Sequence, residues 1–303
     1  MKCLIFFNPK YGTTVDSYNL ALRERVLEED KTSTIHIVNS FPQLFTEMSR
    51  FEIDCIAFHG GDGTFHYLSK YLIQEGKTHI PLIPIPHGTC VDYQRNFNIP
   101  DGTVLRNWLS ELDFTRKTPR DVFSLNDDIF LNIAGYGYLM NVGYDANEQI
   151  KRIFNKHKKL RNIAYYLEVL KATLKKPESN NIGMLLDNQY YEMENVIATM
   201  FCNTNYIGGY SCFPDYDFQD KKSEIMIIHN ATKKQISQEF HSVLKHEKLL
   251  SEMSFVECFT ASEIDVVYDS EYQQPFDLDG EKGVSLKRVH VESKEQINLI
   301  LPN

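Results

Sequence analysis

Three glycines and an aspartate follow the apolar segment Ile53–Phe58 after one intervening residue, His59, and precede the helix-like stretch Phe65–Gln74. Glycine lets backbone N–H groups approach a ligand closely, and the first turn of a helix carries positive partial charge. Phosphate is therefore the ligand that this junction is best suited to bind. Asp62 would repel a bare phosphate, so a Mg²⁺ ion or a substrate hydroxyl is the better partner for it; the alternative is a purely structural turn. The residues of the run are Gly60, Gly61, Asp62, Gly63 and Thr64.

Two further polar turns follow strand-like segments of the same region. Asn8–Thr13 leaves the segment Lys2–Phe7, and Pro86–Asp92 leaves the segment Ile80–Ile85. Either turn alone would be read as a plain loop. Because the carboxyl ends of parallel strands meet at one edge of a sheet, the three turns together predict a shared ligand site.

The order of the predicted elements indicates two domains. Strand-like and helix-like segments alternate through the first hundred residues, which predicts an α/β domain with a doubly wound parallel sheet over residues 1–120. Short strand-like pieces dominate afterwards, and they predict a mainly-β, sandwich-like domain over residues 121–291. We expect the tail 292–303 to return to the first domain. The strands predicted in the second domain include Phe130–Ala134 and Val284–Val291.

Composition excludes several classes of protein. The chain has 303 residues and a formal net charge of −9, which argues against a nucleic-acid-binding protein. No apolar run approaches the roughly 20 residues that span a bilayer. The six cysteines never approach C-x-x-C spacing, so we expect reduced thiols and no zinc ribbon. These features predict a cytoplasmic protein, and they allow a homodimer.

One segment has the opposite charge to the rest of the chain. Residues 151–176 contain nine basic side chains and one acid, Glu168, and they include a predicted helix over Lys159–Lys175. The segment is either a solvated helical face or a patch that meets an anionic membrane surface. Interleaved residues such as Phe154, Tyr165 and Tyr166 favour interfacial contact and hence peripheral membrane association.

The motifs resemble those of the soluble lipid kinases with a diacylglycerol-kinase-type catalytic domain. Asn8–Gly12 is similar to the family's Asn-Pro-x-Ser-Gly, and Gly60–Thr64 matches Gly-Gly-Asp-Gly-Thr in full. Pro86–Arg95 is similar to Pro-x-Gly-Thr-x-Asn-Asp-Phe-x-Arg, and Asp279–Glu281 is similar to the family's Asp-Gly-Glu segment. The matches run from residue 8 to residue 281 in the family's order, so the resemblance covers nearly the whole chain.

The resemblance implies an ATP- and Mg²⁺-dependent kinase with a cleft between two domains. The reaction would phosphorylate a lipid hydroxyl at the membrane surface, with diacylglycerol to phosphatidic acid, a step of phospholipid biosynthesis, as the leading example. Glu281 would be the base for that hydroxyl, with Asp279 nearby and Asp62 in the metal and water network. The residues implied for the nucleotide are Asn8, Pro9, Gly12, Gly60, Gly61, Asp62, Gly63, Thr64 and Thr89. Those implied for metal ions are Asp62, Asp92 and Asp121, with Asp215 and Asp220 at a structural site.

Several of these residues have other interpretations. Asp279-Gly280 is also a strong signal for a type I′ hairpin turn, and Asp121 could be a surface residue at a strand start. The chain also departs from the family pattern at Tyr11 (usually Ser), Tyr67 (usually Glu), Val91 (usually Asn) and Lys221 (usually Gly). These departures mark a divergent member.

Two other functions compete with lipid phosphorylation. One is a kinase for a soluble hydroxyl compound, because NAD kinases share the Gly-Gly-Asp-Gly-Thr loop. The match at Pro86–Arg95, which is of the lipid-kinase type, argues against it. The other is a catalytically silent nucleotide or lipid sensor. The retention of Asp62, Asp92 and Glu281 together argues against that function.

Overall fold

The computed structural model describes residues 1–7, 16–87, 91–100, 102–137, 179–269 and 275–302. The basic segment 151–176, with its predicted helix, lies outside the described residues. Among the helices within these ranges, none is both long and apolar enough to cross a membrane. The chain forms two compact units, and the first combines Met1–Asp121 with Glu295–Asn303. The second unit is Val122–Lys294.

The first unit is an α/β unit. Its described parallel strands lie in the order β4-β3-β1-β2, and Leu299 from the C-terminal strand pairs with Leu82 on β4. This arrangement confirms the predicted doubly wound parallel sheet. The elements are β1 (Lys2–Phe7), α1 (Asp16–Glu29), β2 (Thr34–Val38), α2 (Phe41–Arg50), β3 (Cys55–Gly60), α3 (Asp62–Gln74), β4 (Leu82–Pro86), α4 (Asp92–Asn96) and α5 (Gly102–Ser110).

Helices cover both faces of this sheet, which explains why its central strands are almost entirely apolar. Every residue of β3 is buried. Successive side chains of a strand point to opposite faces. Phe58 packs against Phe65 of α3, with ring centroids 5.4 Å apart, whereas the next residue, His59, contacts Asn19 of α1.

The strand order also locates the crevice in which a ligand would bind. From β1 the chain moves outward to β2, and it then crosses back to place β3 on the other side of β1. The strand order therefore reverses between β1 and β3. In open α/β sheets the ligand crevice lies at such a switch point, beyond the carboxyl ends of the strands. The glycine run follows β3 at this position.

The second unit is mostly β, as predicted. Its main antiparallel path runs β16-β15-β7-β9-β8-β14-β17, and β12 joins β9 to β13. Apolar residues of this unit form a buried cluster that includes Phe123, Phe201 and Phe276. The elements are β5 (Thr118–Leu125), β6 (Asp128–Phe130), β7 (Ile133–Gly137), β8 (Asn180–Leu186), β9 (Gln189–Cys202), β10 (Tyr206–Ile207), β11 (Tyr210–Ser211), β12 (Ser223–His229), α6 (Lys233–Leu244), β13 (Val256–Ala261), β14 (Glu263–Tyr268), β15 (Pro275–Leu278), β16 (Glu281–Ser285) and β17 (Arg288–Leu299).

Two predicted strands are each divided in the structure. The prediction Phe130–Ala134 spans the break between β6 and β7, where main-chain amides bind the carboxylate of Asp279 instead of continuing a ladder. The prediction Val284–Val291 spans the break between β16 and β17, because the chain changes its partner strand from β15 to β14 there. Helix α6 was not predicted, although its capping box, Thr232 with Gln235, is a recognisable start signal.

Candidate active site

The glycine run forms the junction between β3 and α3, as predicted. Gly60 ends the strand, and Gly61 is the N-cap of the helix and contributes no side-chain cap. The first turn of a helix carries positive partial charge, so a helix start with no side-chain cap is suited to an external anion. A Cβ atom on Gly60 would lie 2.4 Å from the Cβ of Thr64, whereas one on Gly63 would meet no described atom within 4 Å. Close packing against Thr64 therefore requires a glycine at position 60, whereas Gly63 borders open space at the start of α3.

Asp62 holds the start of helix α4. Its Oδ2 accepts a hydrogen bond from the amide of Asp92 (2.9 Å), and its Oδ1 accepts one from the amide of Tyr93 (3.1 Å). Val91, the N-cap of α4, provides no side-chain cap of its own. The Tyr93 hydroxyl donates in return to the carbonyl of Gly60 (2.8 Å). The glycine junction and α4 are therefore fixed to each other by bonds in both directions.

The two other aspartates predicted for the catalytic metal also have protein partners. Asp92 forms an ion pair with Arg95 at 3.0 Å. Asp121 is buried and accepts a hydrogen bond from Gln296 at 2.8 Å, so it is not a surface residue. Asp62 and Asp92 lie side by side, but these three aspartates do not form a group of described ligand atoms within 4.8 Å of one another.

His59 was given no role by the sequence reasoning. Its side chain is fully buried, and its Nε2 lies 2.9 Å from Oδ1 of Asn19. Burial, with a smaller contribution from the charge of His87, lowers the pKa of His59 to about 3. The imidazole is therefore neutral at physiological pH. A polar residue at the end of an otherwise apolar strand was the only signal available in the sequence.

Several residues predicted to hold the nucleotide lie outside the described residues. They are Asn8, Pro9 and Gly12 of the first turn and Thr89 of the third. The strands that precede these turns in the sequence, β1 and β4, are parallel to β3 and end at the edge that carries the glycine junction. Their roles remain predictions.

Asp279 lies in a two-residue hairpin loop of the second unit. Asp279 and Gly280 both have positive φ angles, 53° and 86°, as a type I′ turn requires, so the predicted turn is confirmed. The Asp279 carboxylate accepts hydrogen bonds from the amides of Leu131 (2.7 Å), Asn132 (2.7 Å) and Ile133 (2.9 Å). The carboxylate therefore ties the hairpin to the break between β6 and β7.

The same hairpin carries Glu281. In the register between β15 and β16, Glu281 lies opposite Leu278. Asp277 is buried and accepts a hydrogen bond from the amide of Gly280 at 2.9 Å. The backbone at Glu281 is thus held by a turn that two aspartates stabilise, whereas the Glu281 side chain lies outside the described part of the structure.

The residues predicted for a structural metal site, Asp215 and Asp220, are both exposed. Asp220 accepts a hydrogen bond from the amide of Lys222 at 2.9 Å, and the intervening Lys221 has a φ of 59°. Burial, followed by the charges of Asp220 and Asp217, raises the pKa of Glu224 to about 7. The sequence reasoning did not identify Glu224. Negative charge is concentrated here, although these carboxylates do not form a described three-ligand group.

The described ranges contain one such three-ligand group, and it lies elsewhere. Glu263, Asp265 and His290 have ligand atoms within 4.8 Å of one another on the paired strands β14 and β17. Arg288 already forms an ion pair with Asp265 at 3.3 Å, and His290 lies 3.4 Å from the same oxygen. This group is therefore a set of charged side chains that pair between β14 and β17 on the side of β14 that faces solvent.

Comparisons with known proteins match both units. Residues 2–123 match the diacylglycerol kinase catalytic domain, and residues 139–296 match the YegS C-terminal NAD kinase beta sandwich-like domain. A diacylglycerol kinase of Bacillus subtilis (strain 168) is 25% identical over 304 residues, covering 98% of this chain and 95% of that protein. A diacylglycerol kinase of Staphylococcus haemolyticus (strain JCSC1435) is 24% identical over 258 residues, covering 83% of this chain and 72% of that protein.

The fold is also similar to that of a solved protein. A crystal structure of a diacylglycerol kinase from Bacillus anthracis (strain Sterne) superimposes with a TM-score of 0.72 at 23% sequence identity. The superposition covers 99% of this chain and 96% of that one. At this level of identity the similarity establishes the fold of both units.

Proposed function

Because the chain belongs to the family that joins a diacylglycerol kinase catalytic domain to a YegS-type C-terminal domain, we propose that it transfers the γ-phosphoryl group of ATP to a lipid hydroxyl. As a member of this family the chain is a lipid kinase. Diacylglycerol, which would become phosphatidic acid, is the substrate that we consider first, since the two relatives described above are named diacylglycerol kinases.

The uncapped start of α3 is the observation that carries the proposal. It lies at the switch point of a parallel sheet, directly after Gly60 and Gly61, where the positive partial charge of a helix start would attract phosphate oxygens. Phosphoryl transfer passes through a highly charged transition state, so positioning and electrostatic stabilisation do most of the catalysis. Backbone donors suffice for the phosphates, and the chain needs one base for the hydroxyl.

The aspartates of the first unit fit a magnesium ion that is bound mainly through the nucleotide. Mg²⁺ usually keeps several waters and takes one or two carboxylates in addition to substrate phosphates. Asp62 and Asp92 are adjacent, and an ionised carboxylate offers about four lone-pair sites on its two oxygens. When bound, the ion would neutralise charge on the transferring phosphoryl group. Asp62 would position α4 through its two hydrogen bonds to the main chain, and it would contact water molecules bound to the ion.

The base that we propose is Glu281. It would accept the proton of the lipid hydroxyl as that oxygen forms a bond to the γ-phosphorus, while the bond from phosphorus to the leaving oxygen of ADP breaks. Asp279 would be a positioning residue rather than a second base, because its two oxygens are occupied by three main-chain amides. Its contacts hold the turn that immediately precedes Glu281.

A lipid-panel kinase assay tests this function. The purified chain is incubated with radiolabelled ATP, Mg²⁺ and mixed micelles of diacylglycerol, ceramide or sphingosine, with NAD as the soluble competitor. We expect labelled product in the lipid phase, greatest with diacylglycerol, and loss of label with Glu281→Gln. Label on NAD alone would overturn the lipid assignment. ATP binding without transfer to any acceptor would favour a silent sensor.

A further inference from the structure

Five aromatic side chains form a continuous cluster in the first unit, here called the aromatic platform. Phe41 and Phe45 come from α2, Tyr67 and Tyr71 come from α3, and Phe6 comes from β1. The ring centroid of Phe41 lies 4.5 Å from that of Phe6 and 4.4 Å from that of Tyr67. Phe45 stacks on Tyr71 with centroids 3.6 Å apart. The platform thus joins two helices to the end of a central strand.

Tyr67 is the exposed member of the platform. Its side chain is 48% exposed, although Phe41 supports it from one side and Phe45 lies nearly parallel to it at 6.2 Å. The buried face of α3 is formed by other residues, which are Phe65, Leu68 and Leu72. The core of the unit therefore does not require a large aromatic side chain at position 67.

The platform lies at the edge of the sheet that carries the glycine junction. Phe41 is the first residue of α2, just after the carboxyl end of β2, and Phe6 is the penultimate residue of β1. Tyr67 follows Thr64 by three residues on α3, so the two share one helix face and are separated by about 4.5 Å along the axis. A molecule whose phosphates meet the start of α3 could place a flat group on Tyr67.

We propose that Tyr67 binds the purine base of the nucleotide by stacking, an inference that rests on the proposed kinase function. A purine presents a π-face of the size of an aromatic side chain, and stacking of a base on an aromatic ring is tolerant of base identity. The side chains that support Tyr67, Phe41 and Phe45, carry no polar atom that could distinguish adenine from guanine. Position 67 therefore contributes affinity for purine nucleotides in general.

Calorimetric titration of the full chain with ATP, GTP and inorganic tripolyphosphate tests this inference in the presence of Mg²⁺. In Tyr67→Ala we expect the affinities for ATP and GTP to fall by about 5- to 100-fold, the range found when a stacking aromatic is removed. The affinity for tripolyphosphate should stay within about twofold of the original value, because that anion has no base.

Two matched variants separate stacking from packing. Tyr71→Ala removes the partner of Phe45 and loosens the contact between α2 and α3, but it leaves Tyr67 in place. Tyr190→Ala removes a tyrosine of the second unit that is 62% exposed. Neither change should alter the ratio of ATP affinity to tripolyphosphate affinity. An equal loss of both affinities in Tyr67→Ala would show a structural role and overturn the inference.

A second variant keeps the test decisive if Tyr67→Ala does not fold. Tyr67→Trp retains a large aromatic face, and a stacked purine should quench its fluorescence while tripolyphosphate should not. The original chain, whose single tryptophan is Trp108, gives the background signal. Absence of quenching by bound ATP would overturn the inference and leave the kinase proposal intact. Failure of the original chain to bind either ATP or tripolyphosphate would overturn both.

Discussion

The Oδ2 atom of Asp62 lies 2.9 Å from the main-chain nitrogen of Asp92, thirty residues further along the chain. Asp62, the acid of the glycine run, therefore caps helix α4, which follows strand β4 rather than β3. Its other oxygen takes the next amide of that helix. The motif predicts a catalytic role for Asp62. In the structure, Asp62 also links the glycine junction to α4, and we expect the turns at both places to contact the nucleotide.

This double role predicts separable effects of Asp62→Asn. The amide retains one acceptor oxygen but loses the charge that favours a helix start, so we expect a loss of about 1 kcal/mol of unfolding free energy. Turnover should fall, and the Mg²⁺ concentration at half-maximal rate should rise. Thermal melts and a magnesium titration of the rate measure the two effects.

Asp92→Asn is the matched control for that variant. It keeps the amide that binds Asp62 and removes the charge that faces Arg95 in a partly exposed ion pair, so stability should change little. If neither variant shifted the magnesium titration, Asp62 would be a structural cap alone.

The glycines of the run should respond in opposite ways to substitution. Gly63→Ala should raise the unfolding free energy by up to about 1 kcal/mol, because the position is helical and no described atom lies within 4 Å of the new methyl group. It should nevertheless weaken tripolyphosphate and ATP binding, since the methyl group would occupy the space that phosphate needs. Gly60→Ala should cost about 1–3 kcal/mol through its clash with Thr64. Unchanged tripolyphosphate affinity in Gly63→Ala would place the phosphates elsewhere.

The hairpin predicts a division of labour between Asp279 and Glu281. Asp279→Ala should cost about 2 kcal/mol or more, because three main-chain amides lose their acceptor. Glu281→Gln should leave the melting temperature nearly unchanged and lower turnover by roughly 10²- to 10⁴-fold, the usual contribution of a general base. Kinetics on variants that remain folded, with ATP affinity measured separately, check this division. Near-normal turnover in Glu281→Gln would require another base.

His59 predicts a loss of stability in acid. Burial holds its folded-state pKa at about 3, below the ordinary value of 6.5, so the unfolded chain binds the proton more tightly. The contribution of His59 is therefore fully present above about pH 6.5 and is lost as the pH falls towards 3, with a slope of up to about 1.4 kcal/mol per pH unit. Denaturant unfolding of the original chain and of His59→Gln between pH 4 and pH 7 measures the difference. Parallel curves would show that His59 does not become charged on unfolding.

The basic segment predicts salt-sensitive binding to anionic membranes. Residues 151–176 carry nine basic side chains and one acid in a chain of net charge −9. Co-sedimentation with anionic vesicles should fall between low and physiological salt, because the Debye length shortens to about 8 Å. Neutral vesicles and a variant with Lys171, Lys175 and Lys176 changed to Gln are the controls. Equal binding to neutral and anionic vesicles would mean that the segment is only a solvated face.

Local sequence patterns were enough to predict the parallel sheet, the glycine junction and the hairpin turn of this protein. Alternating apolar segments with short links predict a parallel sheet, because each segment must be buried on both faces. The spacing of glycines after the segment Ile53–Phe58 predicts a phosphate-binding junction, and Asp279-Gly280 predicts the hairpin turn. Each of these signals is local, since it depends on backbone preferences within a few residues.

Only the tertiary structure decided what the acidic residues do. The partners of Asp62 are thirty residues away, and those of Asp279 lie nearly 150 residues away. Local backbone preferences carry no information about such distant pairs. The sequence therefore indicated catalytic roles for Asp62 and Asp279 but not the hydrogen bonds that both carboxylates accept from distant main-chain amides. The same reason explains why His59 was given no role and why Tyr67 was noticed only as a departure from a motif. Its position on the aromatic platform exists because α2 and α3 pack on the same face of the sheet, beside Phe6.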